Sequence, residues 1–274
     1  MTTESLTLTD FGAMRGGRSL ADPLTVRIEP GAILGLVGPN GVGKSSLLGA
    51  IARTGIASYG TATYGDADLA RVPARERAKL IALMAQDHGA PGELRVRELV
   101  AVGAWASARK YPSMAVERAL DQAGIAHLAD RPYAGLSGGQ RQLVQFARVL
   151  AQQTPIVVLD EPTSALDLFH QGAVERIMRD LGAEGRIVIA AIHDLSLALN
   201  ACTDVLLLHP GGVAHHGPPQ EALHPERVYD AYGVHTEIHT TDQGRHVLAT
   251  ADPYGADPRP EDTHPGVTPH RKDQ

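Results

Sequence analysis

The sequence predicts an α/β protein built on a mainly parallel β-sheet, and three observations carry that prediction. Continuous apolar runs at Ile33–Val37, 156–159, 187–192 and 205–208 have the length and unbroken hydrophobicity of strands buried on both faces. Stretches with helical spacing separate the later runs, which calls for crossover connections between parallel neighbours. The first run leads straight into Gly-Pro-Asn-Gly-Val-Gly-Lys-Ser at 38–45, and Lys44 then opens a helix with Leu47, Leu48 and Ile51 on one face.

Taken in order, residues 6–28 alternate imperfectly and predict an N-terminal antiparallel β portion, broken by a loop at Gly16 and Gly17. A further strand is expected at 81–84, ending just before Gln86. The character then changes. Val96, Leu99 and Val100 share a helical face, as do Val116, Ala119, Leu120 and Ala123, so a helical subdomain is expected as an insertion over about 87–150. Its last helix begins at Ser137 and Gln140, which have capping-box spacing, and carries Leu143, Phe146, Ala147 and Leu150 on one side. Strands at 156–159, 187–192 and 205–208 alternate with a helix near 174–181 and another after 192. One domain is expected over 1–251, without internal repeats. The Pro-, Asp- and His-containing segment 252–274 lacks periodicity and is expected to be a disordered tail.

A chain of 274 residues can bury about three quarters of its unfolded surface, so it needs no disulfide staples. Its single cysteine, Cys202, cannot form an internal bridge, and the polar start suits a reducing cytoplasm. No apolar run approaches the roughly 20 residues that span a bilayer. Any service to a membrane must therefore pass through a separate partner. A net charge of −6 argues against a nucleic-acid-binding body. Of the thirteen histidines, none forms a closed metal-site spacing with Cys or carboxylate companions, and they are read as solvated surface residues.

The chemistry concentrates in three motifs. Residues 38–45 match the pattern G-x-x-x-x-G-K-[ST], in which backbone N–H groups cradle phosphates. Gly38, Pro39, Asn40, Gly41, Val42, Gly43, Lys44, Ser45 and Ser46 are therefore candidate nucleotide ligands. Lys44 is expected to reach the β- and γ-phosphates, and Ser45 to place its hydroxyl on Mg²⁺. Asp160 and Glu161 end an apolar strand. The first is positioned to hold Mg²⁺ through water, and the second to act as a general base on an attacking water. Leu136, Ser137, Gly138, Gly139 and Gln140 form a glycine-bearing helix start with a free hydroxyl, which is a second anion site. Two phosphate sites on different subdomains suggest a ligand sandwiched between two copies.

These motifs, in this order, resemble the ATP-hydrolysing subunits of ABC transporters, whose signature sequence is the stretch 136–140. The resemblance covers about 6–249. It implies ATP and Mg²⁺ as cofactors, an ATP-sandwich dimer, integral membrane permease subunits as partners, and a place on the cytoplasmic face of the cell membrane. It further implies that Gln86 senses Mg²⁺ and couples to the permease, that Asp167 contacts the other copy, and that His193 meets the γ-phosphate. The family stacks an aromatic residue, commonly Tyr, on the adenine, and Phe11 is the nearest match; the spacer 16–22 leaves room for another residue there. Trp105 and Tyr111 lie where the helical insertion either meets the permease or fills its own small core.

The resemblance narrows further. Leu-Phe-His-Gln at 168–171, Gly-Pro-Pro-Gln-Glu-Ala-Leu at 217–223 and Val-Tyr-Asp-Ala-Tyr-Gly-Val at 228–234 are similar to importers of iron–siderophores, haem and cobalamin. So is Val-Arg-Glu-Leu-Val-Ala-Val-Gly at 96–103. That group implies a substrate-binding protein acting indirectly on this subunit. Zinc/manganese importers are the alternative within transport. Outside it stand soluble ABC ATPases, which usually carry two ATPase domains or a long coiled coil, and phosphate-loop kinases, against which the stretch 136–140 counts.

Overall fold

The computed structural model describes residues 4–16, 18–19, 22–85, 94–106, 112–164, 166–210 and 212–251. The chain opens with β1 (Leu6–Arg15), β2 (Arg18–Ser19) and β3 (Leu24–Ile28), then runs through β4 (Ile33–Val37) into α1 (Lys44–Ile51). β5 (Ala57–Tyr64), β6 (Ala67–Asp68), α2 (Ala74–Arg77) and β7 (Ile81–Met84) follow, and then the helices α3 (Val96–Ala106), α4 (Pro112–Gln122) and α5 (Gly138–Gln152). β8 (Ile156–Asp160), α6 (Leu168–Ala183), β9 (Ile187–Ala191), α7 (Leu195–Ala201) and β10 (Asp204–His209) alternate as expected. β11 (Gly212–Gly217), α8 (Pro219–Ala222), α9 (Pro225–Tyr232), β12 (Thr236–Thr240) and β13 (His246–Thr250) complete the described chain. Among the described residues no helix is long and apolar enough to cross a membrane.

The main sheet has the order β11-β10-β4-β9-β8-β7, and every pairing from β10 to β7 is parallel. β4, β8 and β9 are buried at every position, which is why their sequences are unbroken apolar runs. A second, antiparallel sheet joins β2, β1, β5 and β6, with β3 on the other side of β1. β1 carries a bulge. Leu6 and Leu8 are buried, the register shifts at Asp10, and Phe11 and Ala13 are buried next, so the inward face changes from even to odd positions. Asp10 takes φ 48°, and the facing Gly60 has no room for a side chain, since a Cβ there would lie 2.2 Å from the Asp10 carbonyl oxygen. The antiparallel sheet closes over α1 and one face of the main sheet to form one core, and the helices cover the other face.

The predicted helices α3, α4 and α5 form and pack on one another. α5 begins with the full reciprocal capping box at Ser137 and Gln140. It is anchored at its other end, where the Gln152 side chain donates to the carbonyls of Ala78 and Ile81 at 2.6 and 3.0 Å. Past β10 lie elements that the hydrophobic pattern does not predict. The hairpin β12–β13 is fastened to α7 by Asn200, whose side-chain amide accepts from the His246 N–H and donates to its carbonyl at 3.0 and 2.7 Å. Arg245 adds an ion pair to the buried Glu175 of α6 at 2.8 Å.

Close approach of α3 to α5 rests on Gly103, where a Cβ would lie 1.9 Å from the Arg148 carbonyl oxygen. Helix propensity alone makes Gly→Ala stabilising by about 1 kcal/mol. The backbone clash reverses the sign, because separating two packed helices costs about 2 kcal/mol. Gly103→Ala is therefore expected to lower the urea midpoint, and an unchanged or raised midpoint would show that α3 has slack against α5.

Candidate nucleotide site

The main sheet brings distant residues together because β4, β9 and β8 are neighbours and run the same way. Their carboxyl ends share one edge, the usual ligand edge of an open parallel sheet. β4 delivers the loop 38–43, β8 delivers Asp160 and Glu161, and β9 delivers His193 two residues past its end. Gln86, expected beyond the end of β7, lies outside the described residues, as do Tyr111 and the segment 252–274.

The loop turns into α1 through Gly43, which has φ 108° and caps the helix without any side-chain hydrogen bond. The first-turn N–H groups of α1 are thus left to an external acceptor, and the helix dipole favours an anion there. Asn40, Gly41 and Ser45 are exposed, while Pro39, Val42, Gly43 and Ser46 are half-buried. Lys44 is buried at 5 % exposure and folds back over the loop, donating from Nζ to the carbonyls of Gly38 at 2.6 Å and Pro39 at 3.1 Å. Burial lowers its pKa, against the opposing pull of the Glu161 and Asp160 carboxylates.

Asp160 is 7 % exposed at the end of β8 and accepts from the Ser45 hydroxyl at 2.9 Å. Burial raises its pKa, partly offset by that hydrogen bond. A hydroxyl and a carboxylate already in contact, with oxygen donors only, form a donor set suited to Mg²⁺. Glu161 takes φ 53°, a left-handed conformation that costs a non-glycine residue about 1 kcal/mol and is commonest where function over-determines the backbone. Its carboxylate meets His193 Nε2 at 2.6 Å. The carbonyl of Glu161 accepts from the Gln142 side chain at 3.0 Å and the Ser164 hydroxyl at 3.2 Å, which fixes the turn from two sides. Gln142 is a site residue that none of the three motifs contains. Its one signal in the sequence is a polar side chain four positions before Phe146, on the stripe of α5 that faces the core, and it is 3 % exposed.

The signature stretch is brought to no member of this group by a hydrogen bond among the described residues. Ser137 accepts from the Gln140 N–H at 3.2 Å, Gln140 Oε1 accepts from the Ser137 N–H at 3.1 Å, and Ser137 and Gly138 face solvent, with Gly139 and Gln140 half-buried. Because Ser137 Oγ acts here as an acceptor, its own proton stays available to a ligand. Asp167 caps α6, accepting from the His170 N–H at 2.9 Å and meeting its ring at 2.7 Å. The backbone donation holds its carboxyl below the ordinary range.

One expected ligand is corrected. Phe11 is 2 % exposed and packs within the core, so its ring offers no free face to an adenine. The bulge at Asp10 is the cause, since it turns Phe11 to the inner side with Leu8. Its edge reaches an apolar cleft beside the phosphate loop, lined also by Gly12, Ala13, Val42 and Leu208. Trp105, by contrast, is 63 % exposed and does not fill the core of the helical insertion.

A glycine loop at a helix start, a buried lysine, and a paired acid and histidine on one parallel-sheet edge are the arrangement expected of a phosphate-loop ATPase. The family model "ABC transporter" matches residues 21–164, which is over half the chain. The chain belongs to the ABC transporter family as an ATP-hydrolysing member. Among its relatives, a hemin import ATP-binding protein of Bordetella pertussis is 39 % identical, covering 84 % of this chain and 94 % of that one. One from Rhodococcus jostii is 38 % identical over 82 % of this chain and 78 % of its own length. The fold is shared with a metal-chelate type ABC transporter solved in an inward-facing conformation, with TM-score 0.76, 24 % identity, and coverage of 91 % of this chain and 97 % of that one. An ABC transporter cassette in its ADP conformation aligns with TM-score 0.71 and 21 % identity, covering 84 % of this chain and 99 % of that one.

The raised pKa of Asp160 has a consequence for the nucleotide-free protein. A carboxyl with a folded pKa above its ordinary 3.8 contributes stability that is present below that value and lost as pH rises through the folded value. Asp160→Asn cannot ionise and keeps the favourable neutral state. Thermal melts without nucleotide should place it at or above wild type at pH 7, with the gap closing toward pH 4. A variant less stable by the same margin at both pH values would contradict that assignment.

Proposed function

We propose that this chain powers import of a haem-type iron chelate, working as a pair of ATPase subunits beneath integral membrane permease subunits on the cytoplasmic face of the membrane. The observation that carries the cargo class is the similarity, along most of both chains, to proteins whose names state hemin import. A substrate-binding protein acts on the assembly indirectly, through the permease.

In this reading the loop N–H groups and the uncapped start of α1 take the triphosphate. Lys44 leaves the Gly38 and Pro39 carbonyls for the phosphates, which restores a counter-charge to a desolvated ammonium. Ser45 and Asp160 would hold Mg²⁺, which when bound neutralises phosphate charge. Glu161 orients the attacking water and accepts its proton, and His193, already at its carboxylate, fixes the direction of that carboxylate and reaches toward the γ-phosphate. Ser137, Gly138, Gly139 and Gln140 of a second copy close the site from the other side, with the Ser137 hydroxyl donating. Asp167 lies at the contact between copies. ATP then favours the closed pair because both halves bind it, and its hydrolysis lets the pair open. Gln86 carries that change to the permease.

Glu161→Gln is expected to retain ATP affinity, to accumulate as a dimer with ATP in size-exclusion chromatography, and to hydrolyse at least about a hundredfold more slowly. Hydrolysis at the wild-type rate would assign the base elsewhere. Lys44→Ala should abolish tight ATP binding in calorimetry, and full affinity would remove the loop from the site. For the transport reading itself, tagged Glu161→Gln protein pulled from gently solubilised native membranes with ATP should bring a polytopic permease with it. A ribosome- or DNA-associated assembly in its place would overturn transport and leave the ATPase chemistry standing.

A further inference from the structure

Resting on the reading of Glu161 as the general base, we propose that Gln142, in α5, is a positioning residue for that base and holds the left-handed turn from which its carboxylate reaches the attacking water. The Gln142 side chain donates from Nε2 to the Glu161 carbonyl at 3.0 Å, across nineteen residues of sequence. Two further bonds to the same carbonyl come from Ser164, through its hydroxyl at 3.2 Å and its N–H at 3.3 Å. Those two close the turn on itself. The Gln142 bond instead ties it to a different element, while His193 meets the carboxylate at 2.6 Å from a third. Backbone and side chain of Glu161 are thus held separately, and each of these two holds comes from outside the turn.

The turn needs such a hold. Glu161 sits at φ 53°, where a side chain crowds the backbone, and an ordinary hydrogen bond is worth about what that conformation costs. Losing one is enough to let the turn relax and the carboxylate swing away from His193. Helix α5 is a firm place to bond from. Its start is locked by the reciprocal capping box of Ser137 and Gln140, and its end by Gln152 on the carbonyls of Ala78 and Ile81. Ser137 and Gln142 are five residues apart, so they leave the helix on nearly opposite sides, Ser137 to solvent and Gln142 buried toward Glu161. The helix that presents the signature stretch outward therefore steadies the base inward. α5 also supplies its own comparison. Gln145, three positions on, is equally buried, but its amide donates to the Tyr133 hydroxyl at 3.2 Å, inside the helical insertion.

Gln142→Met keeps the length of the side chain and removes the donor. On the full chain, kcat for ATP hydrolysis should fall about tenfold, with Kd and KM for ATP within about twofold of wild type. Gln145→Met loses a buried hydrogen bond from the same helix and should keep kcat within about twofold, whatever it does to the thermal midpoint. In the Glu161→Gln background, Gln142→Met should slow single-turnover hydrolysis of labelled ATP by less than about twofold, since the group it positions is already gone. Equal losses of kcat in Gln142→Met and Gln145→Met would mark Gln142 as a packing residue. A loss that persists at full size in the Glu161→Gln background would show that Gln142 acts elsewhere. Either result overturns the proposal, as does a wild-type kcat in Gln142→Met. Glu161→Gln turning over at the wild-type rate would instead overturn the base reading, and this inference with it.

Discussion

Everything at the site depends on parallel pairing among β4, β9 and β8. Parallel neighbours point the same ends in the same direction, so groups more than a hundred residues apart emerge at one edge without any local sequence relationship. Each of these strands is wholly buried, and a one-residue slip would carry its chemistry out of reach of the next. The apolar runs therefore do more than fill a core. They fix the distance from Ser45 to Asp160 and from Glu161 to His193, and those distances are short enough to be hydrogen bonds.

Charge at the site is held in mutually compensating strain. Lys44 is desolvated and leans on two carbonyls; Asp160 is desolvated and leans on one hydroxyl. Burial shifts the two groups in opposite directions, each toward neutrality. Such a site is preorganised to accept charge. A polyanion meeting the lysine and a cation meeting the carboxylate would each replace a partial partner with a full one. The helical insertion joins this arrangement through Gln142, which reaches from α5 to the Glu161 carbonyl, so the helix bearing the signature stretch is bonded to the turn that bears Glu161.

Much of this was legible in the sequence, for physical reasons that differ from element to element. Buried parallel strands show because both faces must be apolar, which leaves an unbroken hydrophobic run. The glycine loop shows because cradling a phosphate ties Gly, Lys and Ser to a fixed spacing. The capping box at Ser137 was readable because both of its bonds are local. Phe11 was named from the resemblance alone, and its burial depends on a bulge whose permitting residue, Gly60, lies on a different strand. β5 and the hairpin β12–β13 went unseen since both are half-exposed and lack an unbroken apolar run. Asn200 gripping His246, and Gln142 gripping Glu161, are contacts between elements; no window along the chain contains both partners.

The left-handed backbone at Glu161 sets backbone strain against retention of the carboxylate at one position. Glycine or asparagine would relax that φ, and either would delete the carboxylate. On the proposed role of Glu161 as the base, selection for heat resistance alone, in a library left free at this codon, would therefore enrich inactive protein. A directed-evolution campaign on this chain needs a turnover screen in every round, with residue 161 held constant.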